Sequence, residues 1–460
     1  MIELIIENGI KIRGLENRQI RAHIKKTLTL DNPMYYKLKS MGVHVWPGME
    51  TYKYYKEDKV TGDLIVPRGF KLRLIEFFVS KLGMEIKIED KTLSQKMEKP
   101  LVSKVILRDY QEEILLTIVI NSEGIVCAST GSGKTVMACE AIARMNLKAT
   151  VIVPNTVLMS QFVEEFKKNF DYTPGIVGDG KKQFDYDVVI TTIQSLQADK
   201  EVLQKLVERT SVLFVDECQQ FITEKREKII GSFKPSSIFG LSATPIRSKE
   251  DGRTEAINFL FGQNIVNYQT TQMTPTVQVI LTDVQIPIDD YNEMIINMIS
   301  NEQRNTIIQG TVLGEVMSGR KVLVLTKRID HYRNLEKGLP DHFKNNTFFF
   351  IDSDDKNRNQ LLTELKFGKR DFQAVFGTTS LLSVGLDIPA FDTLILACDM
   401  KSEALTIQSA GRILRLFEGK PQPKIYDLFD NRNAIFTRQF KEREKIYKDK
   451  GWKMLGKYWD

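Results

Sequence analysis

Residues Ala128-Ser129-Thr130-Gly131-Ser132-Gly133-Lys134-Thr135 have the types and spacing to hold a chain of phosphates. They follow the apolar run Ile125-Val126-Cys127 and precede Val136–Ile142, where apolar residues recur at helical spacing. A strand, a glycine-bearing loop and a helix start point backbone N–H groups and the positive end of a helix dipole inward, which suits β- and γ-phosphates. Lys134 adds a point charge there, and the Thr135 hydroxyl is a ligand for Mg²⁺. Farther on, Val212-Leu213-Phe214-Val215 ends in the adjacent carboxylates Asp216 and Glu217. Packing asks for no such pair. Asp216 is expected to hold Mg²⁺, partly through water, and Glu217 to orient and polarise the water that attacks the γ-phosphate.

Other polar groups follow apolar strands in the same order along the chain. Leu107-Arg108-Asp109-Tyr110-Gln111 opens a helix about twenty residues before the phosphate loop. There Gln111, with Arg108 beside it, could read the donor and acceptor of the adenine edge and favour ATP. Val151-Ile152-Val153-Pro154 leads to Asn155 and Gln161, and Val188–Thr191 leads to Thr192 and Gln194. Short polar groups at the ends of parallel strands can bond a phosphodiester backbone, although each taken singly is equally a helix cap. Ser242 and Thr244, in Gly240-Leu241-Ser242-Ala243-Thr244-Pro245, are expected to couple the carboxylates to that backbone. Near the other end, Gln408, Arg412 and Arg415 fall at i, i+4 and i+7, which puts them on one face of a predicted helix. Arg415 is the first choice, and Arg412 the second, for an arginine that neutralises transition-state phosphate oxygens.

Taken together, the phosphate loop, Asp216-Glu217-Cys218-Gln219 and Leu241-Ser242-Ala243-Thr244-Pro245 resemble the superfamily-two helicases. Gln219 stands where the best-known subfamilies have His or Asp. The resemblance spans roughly residues 105–430 and implies two tandem RecA-like, doubly wound parallel-sheet lobes with ATP and Mg²⁺ between them. It also implies that Gly385 and Asp387 sense the ribose and couple the lobes. By the same resemblance Thr326, Lys327, Thr378 and Thr379 contact nucleic acid. Asn32-Pro33-Met34-Tyr35, Pro67-Arg68-Gly69-Phe70 and Tyr426-Asp427-Leu428-Phe429-Asp430 make the chain similar, more narrowly, to phage recombination helicases of the UvsW kind. Those enzymes remodel branched DNA by fork regression and branch migration.

The elements that position these groups group into an α/β fold preceded by a small α+β domain. Residues 1–90 read as that domain, with a hairpin turning at Asn8-Gly9, helices at Pro33–Ser40 and Gly69–Leu82, and a strand pair between them. Residues 84–100 are rich in Lys and Glu, and 91–104 form the expected linker. The lobes are placed at 105–272 and 273–435, and a basic helical tail with Trp452, Tyr458 and Trp459 at 436–460. Residues 1–100 hold 19 Lys/Arg against 13 Asp/Glu, which accounts for the whole net charge of +6. A basic module with interleaved Tyr35, Tyr36, Trp46, Tyr52, Tyr54 and Tyr55 suits a nucleic-acid partner. The aromatics serve equally as core where strand alternation buries them.

With 42% hydrophobic and 27% charged residues, and no apolar run near the ~20 a membrane span needs, the composition is that of a soluble globular chain. The four scattered cysteines have no metal-ligand spacing and read as reduced core residues. The expectation is a monomeric DNA-dependent ATPase in the cytoplasm, the host's if phage-encoded. A translocase on duplex DNA without strand separation, an RNA helicase and a non-catalytic binding protein are the other classes considered. Intact Lys134, Asp216, Glu217 and Arg415 argue against the last.

Overall fold

A computed structural model describes residues 2–46, 48–129, 131–243, 252–268, 273–287, 290–344, 347–351, 358–366, 368–379, 388–400, 403–417 and 419–456. Two compact units divide the chain, Met1–Thr270 and Thr271–Asp460.

The first unit begins with a five-stranded sheet in the order Lys56–Glu57, Leu64–Pro67, Gly9–Arg13, Ile2–Ile6, Ile86–Asp90. The hairpin of Ile2–Ile6 with Gly9–Arg13 forms as the sequence predicts. Its turn does not use positive φ at Asn8 or Gly9, however. Glycine is needed at position 9 for closeness, because a Cβ there would lie 2.9 Å from the Val66 carbonyl oxygen on the neighbouring strand. Ile86–Asp90 pairs in parallel with Ile2–Ile6, so the Lys/Glu-rich stretch is partly sheet. Thr51–Lys53 pairs instead with Thr29–Asp31, in a separate two-stranded ribbon.

The expected linker is also docked. Leu93 bridges to Pro235, Lys96 to Leu147, and Met97 is buried in the core of the lobe that follows. Pro67-Arg68-Gly69-Phe70 fastens the small domain to that lobe. Arg68, 5% exposed, donates to the carbonyls of Pro235 and Ser236 and lies 3.8 Å from Glu123. A Cβ on Gly69 would sit 2.3 Å from the Gly262 nitrogen, so only glycine permits this approach. Phe259 of the lobe completes the small domain's own core.

Eight strands form the lobe sheet, in the order Lys181–Lys182, Gly175–Gly178, Val188–Thr192, Ala149–Val153, Val212–Asp216, Ser237–Ser242, Glu123–Ala128, Asn264–Tyr268. Every pairing is parallel except that of the short Lys181–Lys182 edge. Central strands such as Ala149–Val153 and Val212–Asp216 are buried along their whole length, which is why they read as unbroken apolar runs. Helices cover both faces, and the apolar core lies in two layers on either side of the sheet.

The second unit carries seven strands, all parallel among the described residues: Phe348–Ile351, Ala374–Thr378, Val322–Thr326, Thr393–Leu396, Lys424–Phe429, Thr276–Leu281, Lys453–Leu455. Each unit therefore contains one doubly wound, RecA-like lobe. The predicted tail belongs to the second. Helix Ala434–Asp449 buries Arg443 against Asp427, at 2.9 and 2.8 Å, and the Tyr447 hydroxyl donates to the same carboxylate. Trp452 stacks on Tyr447, and Lys453–Leu455 adds an edge strand.

His331 on helix Ile329–Lys337 is fully buried, 3.2 Å from the Asn305 amide oxygen. Burial and the nearby Arg304 guanidinium push its pKa well below 6.5. The unfolded chain takes up this proton near pH 6.5 and the folded chain does not, so the unfolded state binds more protons below that pH. Stability of the second unit should therefore fall as the pH drops below about 6.5, by up to ~1.4 kcal/mol per pH unit from this one group. Urea midpoints of wild type and His331→Gln at pH 7.5 and 5.5 test this, with a shallower loss expected for the variant.

Candidate functional site

The carboxyl ends of four neighbouring strands of the first lobe meet on one rim. Asp216 pairs in register with Leu241, Ser242 with Cys127, and Ala128 with Tyr268. The phosphate loop leaves this rim and enters helix Lys134–Met145 with Gly131 and Gly133 at φ +85° and +87°. Lysine 134 curls over the loop and donates to the carbonyls of Ala128 (2.6 Å) and Ser129 (3.2 Å). Ser129 and Ser132 are buried beneath it and Thr135 is half-buried at the helix start, while Thr130 lies outside the described residues.

Gln111 does not face outward. Its Nε2 donates to the Ser132 carbonyl (3.0 Å), and its Oε1 accepts from the Arg108 backbone N–H (3.0 Å). A Cβ on Gly133 would lie 2.4 Å from that Nε2. The residue braces the loop, with one donor and one lone pair left for an adenine edge. Tyr110 also donates to the Ser132 carbonyl, and its ring stacks on Tyr268 with centroids 4.4 Å apart.

Asp216 is almost wholly buried. Desolvation and the neighbouring Glu217 push its carboxyl well above the usual carboxylate range, and Lys134 opposes them. Two carboxylates so placed attract a cation, and with the Thr135 hydroxyl they fit Mg²⁺. Glu217 sits at φ +50°, ψ +46°, a left-handed backbone that costs a non-glycine residue about 1–3 kcal/mol. Its side chain is held by a relay that the sequence did not reveal. Gln219 Nε2 donates to Glu217 Oε2 (2.5 Å), and Gln219 Oε1 accepts from the Ser242 hydroxyl (2.7 Å). Sequence spacing hides this contact, since Ser242 lies on the adjacent strand. Loss of one hydrogen bond to a charged group is worth ~1.5 kcal/mol, so Gln219→Ala should lower kcat for ATP on the order of 10-fold and leave KM nearly unchanged. Steady-state ATPase kinetics check it, and a rise in KM with kcat intact would exclude the relay. Thr244 lies outside the described residues.

Farther along the rim, Thr192 pairs in register with Val153, which brings the polar groups after both strands together. Gln194 Nε2 donates to the Pro154 carbonyl (2.8 Å). Asn155 caps helix Thr156–Phe170 and Thr192 caps Ile193–Ala198, so their side chains serve those helices. Gln161 is half-buried one turn into the longer helix.

In the second unit Thr326 and Thr378 pair in register at the carboxyl rim. Thr326 is fully buried and its hydroxyl donates to the Arg328 carbonyl (3.1 Å), so it shapes the loop and offers no exposed contact, contrary to expectation. Lys327 is paired with Asp399 (3.0 Å), and Thr379 donates its N–H to the Thr326 carbonyl. Gly385 and Asp387 lie outside the described residues.

The predicted helical face is corrected. Helix Glu403–Gly411 carries Gln408 but stops before both arginines. The N–H groups of Arg412 and Ile413 turn back to Ser409 and Ala410, and Ile413 and Leu414 are buried. The last turn thus tightens to seat Ile413 and Leu414 in the core, and Arg415 lies on the loop that follows. Burial pushes the Arg415 guanidinium down to about 10. The Lys420 ammonium, bonded to the Arg415 carbonyl (3.0 Å), is pushed down to about 8. A cation in such low-dielectric surroundings acts strongly on any anion that reaches it.

The four cysteines are free and buried. Among the described residues no cluster of His, Cys, Asp and Glu forms a metal site of three or more ligands, and no helix is long and apolar enough to cross a membrane.

Residues 104–247 match the family described as type III restriction enzyme, res subunit, and residues 302–417 match the helicase conserved C-terminal domain. A protein of Invertebrate iridescent virus 6 named as a helicase is 28% identical over 357 residues, covering 72% of this chain and 77% of its own. "Probable helicase D10" of Escherichia phage T5 is 25% identical, with 72% and 73% covered. DNA 3'-5' translocase XPB2 of Sulfurisphaera tokodaii is 30% identical over 42% of each chain. The solved structure of T4 UvsW aligns over 99% of this chain and 98% of its own, at 15% identity and a TM-score of 0.44.

Proposed function

From the premise that the chain belongs to the superfamily-two helicases, we propose that it is an ATP-driven motor on DNA that remodels branched structures, by fork regression and Holliday-junction branch migration. The observation that carries the reading is the fusion of two things in one unit. A phosphate loop, an Asp-Glu pair and Ser242 converge on one rim, and the basic N-terminal segment, whose excess equals the net charge of the chain, is fastened to the same lobe through Arg68 and Gly69. A basic module rigidly joined to an ATPase lobe suits a polyanionic track.

In this reading Lys134 and the loop amides bind the phosphates, and Thr135 and Asp216 are the residues that would hold Mg²⁺, which supplies charge neutralisation when bound. Glu217, held by Gln219, orients the attacking water. Arg415, with Arg412 second, neutralises the charge that develops on the γ-phosphate. Ser242 links the hydrolysis site to the rim where Pro154, Asn155, Thr192 and Gln194 lie. Contacts at such a rim go to phosphates, so movement should depend little on base sequence.

Steady-state ATPase rates with no nucleic acid, single-stranded, duplex, forked and four-way DNA, and RNA test the proposal at two salt concentrations. Strong stimulation by forked and four-way DNA is expected, weakening with salt. Preferential stimulation by RNA would overturn the substrate while leaving the motor intact. Stimulation by plain duplex equal to that by branches would favour a translocase without strand separation.

A further inference from the structure

The stretch between Asp31 and Thr51 is built unlike the rest of the first unit. It leaves and rejoins the ribbon of Thr29–Asp31 with Thr51–Lys53, and Asn32 closes its base by bonding the carbonyls of Met49 and Glu50. Within it Tyr35 alone is buried among the described residues. Yet it presents Tyr36 and Trp46, 52% and 70% exposed, together with Met34, Met41 and Met49. The His44 and Trp46 rings meet at a steep angle, centroids 5.4 Å apart, and the indole is still 70% exposed. Helix Pro33–Ser40 carries Lys37 and Lys39 and no acid. No core is made with these side chains, so the fold does not explain them.

The base of this arm is held firmly to the lobe. A Cβ on Gly252 (φ +66°) would lie 2.3 Å from the Asp31 carbonyl oxygen and 2.6 Å from Pro33. Next to it Arg253 lies over the Tyr52 ring (4.7 Å), bonds Tyr54 (3.0 Å) and forms a two-pronged pair with Glu227. Exposed rings beside lysines on a fixed support are the composition that binds bases through their π-faces and the backbone through its charge.

We infer that this arm is a stacking surface for unpaired nucleobases at a DNA branch, with Trp46 and Tyr36 supplying the ring faces and Lys37 and Lys39 the contacts to phosphate. The inference rests on the DNA reading above and adds to it the element that engages opened bases. Duplex DNA keeps its bases stacked inside, so the arm should distinguish a fork from a plain duplex.

The test is binding of the full-length protein to forked DNA carrying 2-aminopurine in the unpaired bases beside the junction, against an otherwise identical full duplex. Trp46→Ala should weaken fork binding about 10-fold and change duplex binding less than about twofold, and Trp46→Phe should recover most of the loss. The ratio of wild type to Trp46→Ala should persist between about 50 and 200 mM salt while both affinities fall, because stacking releases no counterions. Circular dichroism and the thermal midpoint confirm that the variants fold. Equal fork binding by wild type and Trp46→Ala overturns the inference and leaves the DNA reading standing, as a protein-docking surface would require. Failure of the wild type to bind any DNA overturns both.

Discussion

Glu217→Gln is expected to bind ATP and stall, with single-turnover hydrolysis slowed about 10³-fold. The amide keeps the shape of the side chain and can still accept the Gln219 Nε2–H bond, so the relay to Ser242 survives. What disappears is the charge that polarises the attacking water. ATP binding should not suffer, for a reason visible in the site. Glu217 is one of the two causes that hold the buried Asp216 carboxyl up, and its neutralisation lets Asp216 ionise more readily. Affinity for ATP with Mg²⁺ should therefore be equal to that of wild type or greater. Normal hydrolysis by this variant would remove Glu217 from the water-orienting role.

Arg415→Ala should cut turnover by about 10³-fold or more, again with ATP binding nearly intact. Arg415→Lys should rescue little, because the role needs a planar fork that stays charged where burial disfavours charge. The comparison with Arg412→Ala is informative now that the two do not share a helical face. Arg412 lies in the tightened final turn, whereas Arg415 follows the buried pair Ile413 and Leu414, which fix its loop to the core. Steady-state kcat with an equilibrium measurement of ATP binding separates them. A larger loss at Arg412 would reverse their order.

The parts of this site that were legible in the sequence are those in which the chain must change its physical pattern within a few residues. An apolar run that ends in Gly131-Ser132-Gly133-Lys134, or in Asp216-Glu217, can only be a buried parallel strand meeting a polar rim. The doubly wound fold follows from several such strands in series. Contacts between neighbouring strands leave no such trace. Gln219 looked like a departure from a motif, and its bonds to Glu217 and Ser242 exist because two strands lie side by side. Gln111 looked like a base reader and also braces the phosphate loop. Helical spacing carried Arg412 and Arg415 too far along one helix, because periodicity does not register that Ile413 and Leu414 must turn into a core. Residues 91–104 looked like a tether because their lysines and Glu98 are polar and unpatterned, while their backbone and Met97 are claimed by the lobe beside them.

The strand order of the second unit also bears on how the molecule comes into being. Thr276–Leu281, the first strand of that unit, has as its sheet neighbours only Lys424–Phe429 and Lys453–Leu455. At ordinary rates of translation those partners emerge on the order of ten seconds or more after it does. In the first unit Glu123–Ala128 likewise precedes its neighbours Ser237–Ser242 and Asn264–Tyr268 by more than about a hundred residues, so each lobe passes through such an interval. During that interval a strand of high β-propensity is without its mates. Nascent chains of this protein should therefore lean on holdase chaperones between synthesis of residue 281 and residue 455, and slow codons in that window should lower the yield of folded protein.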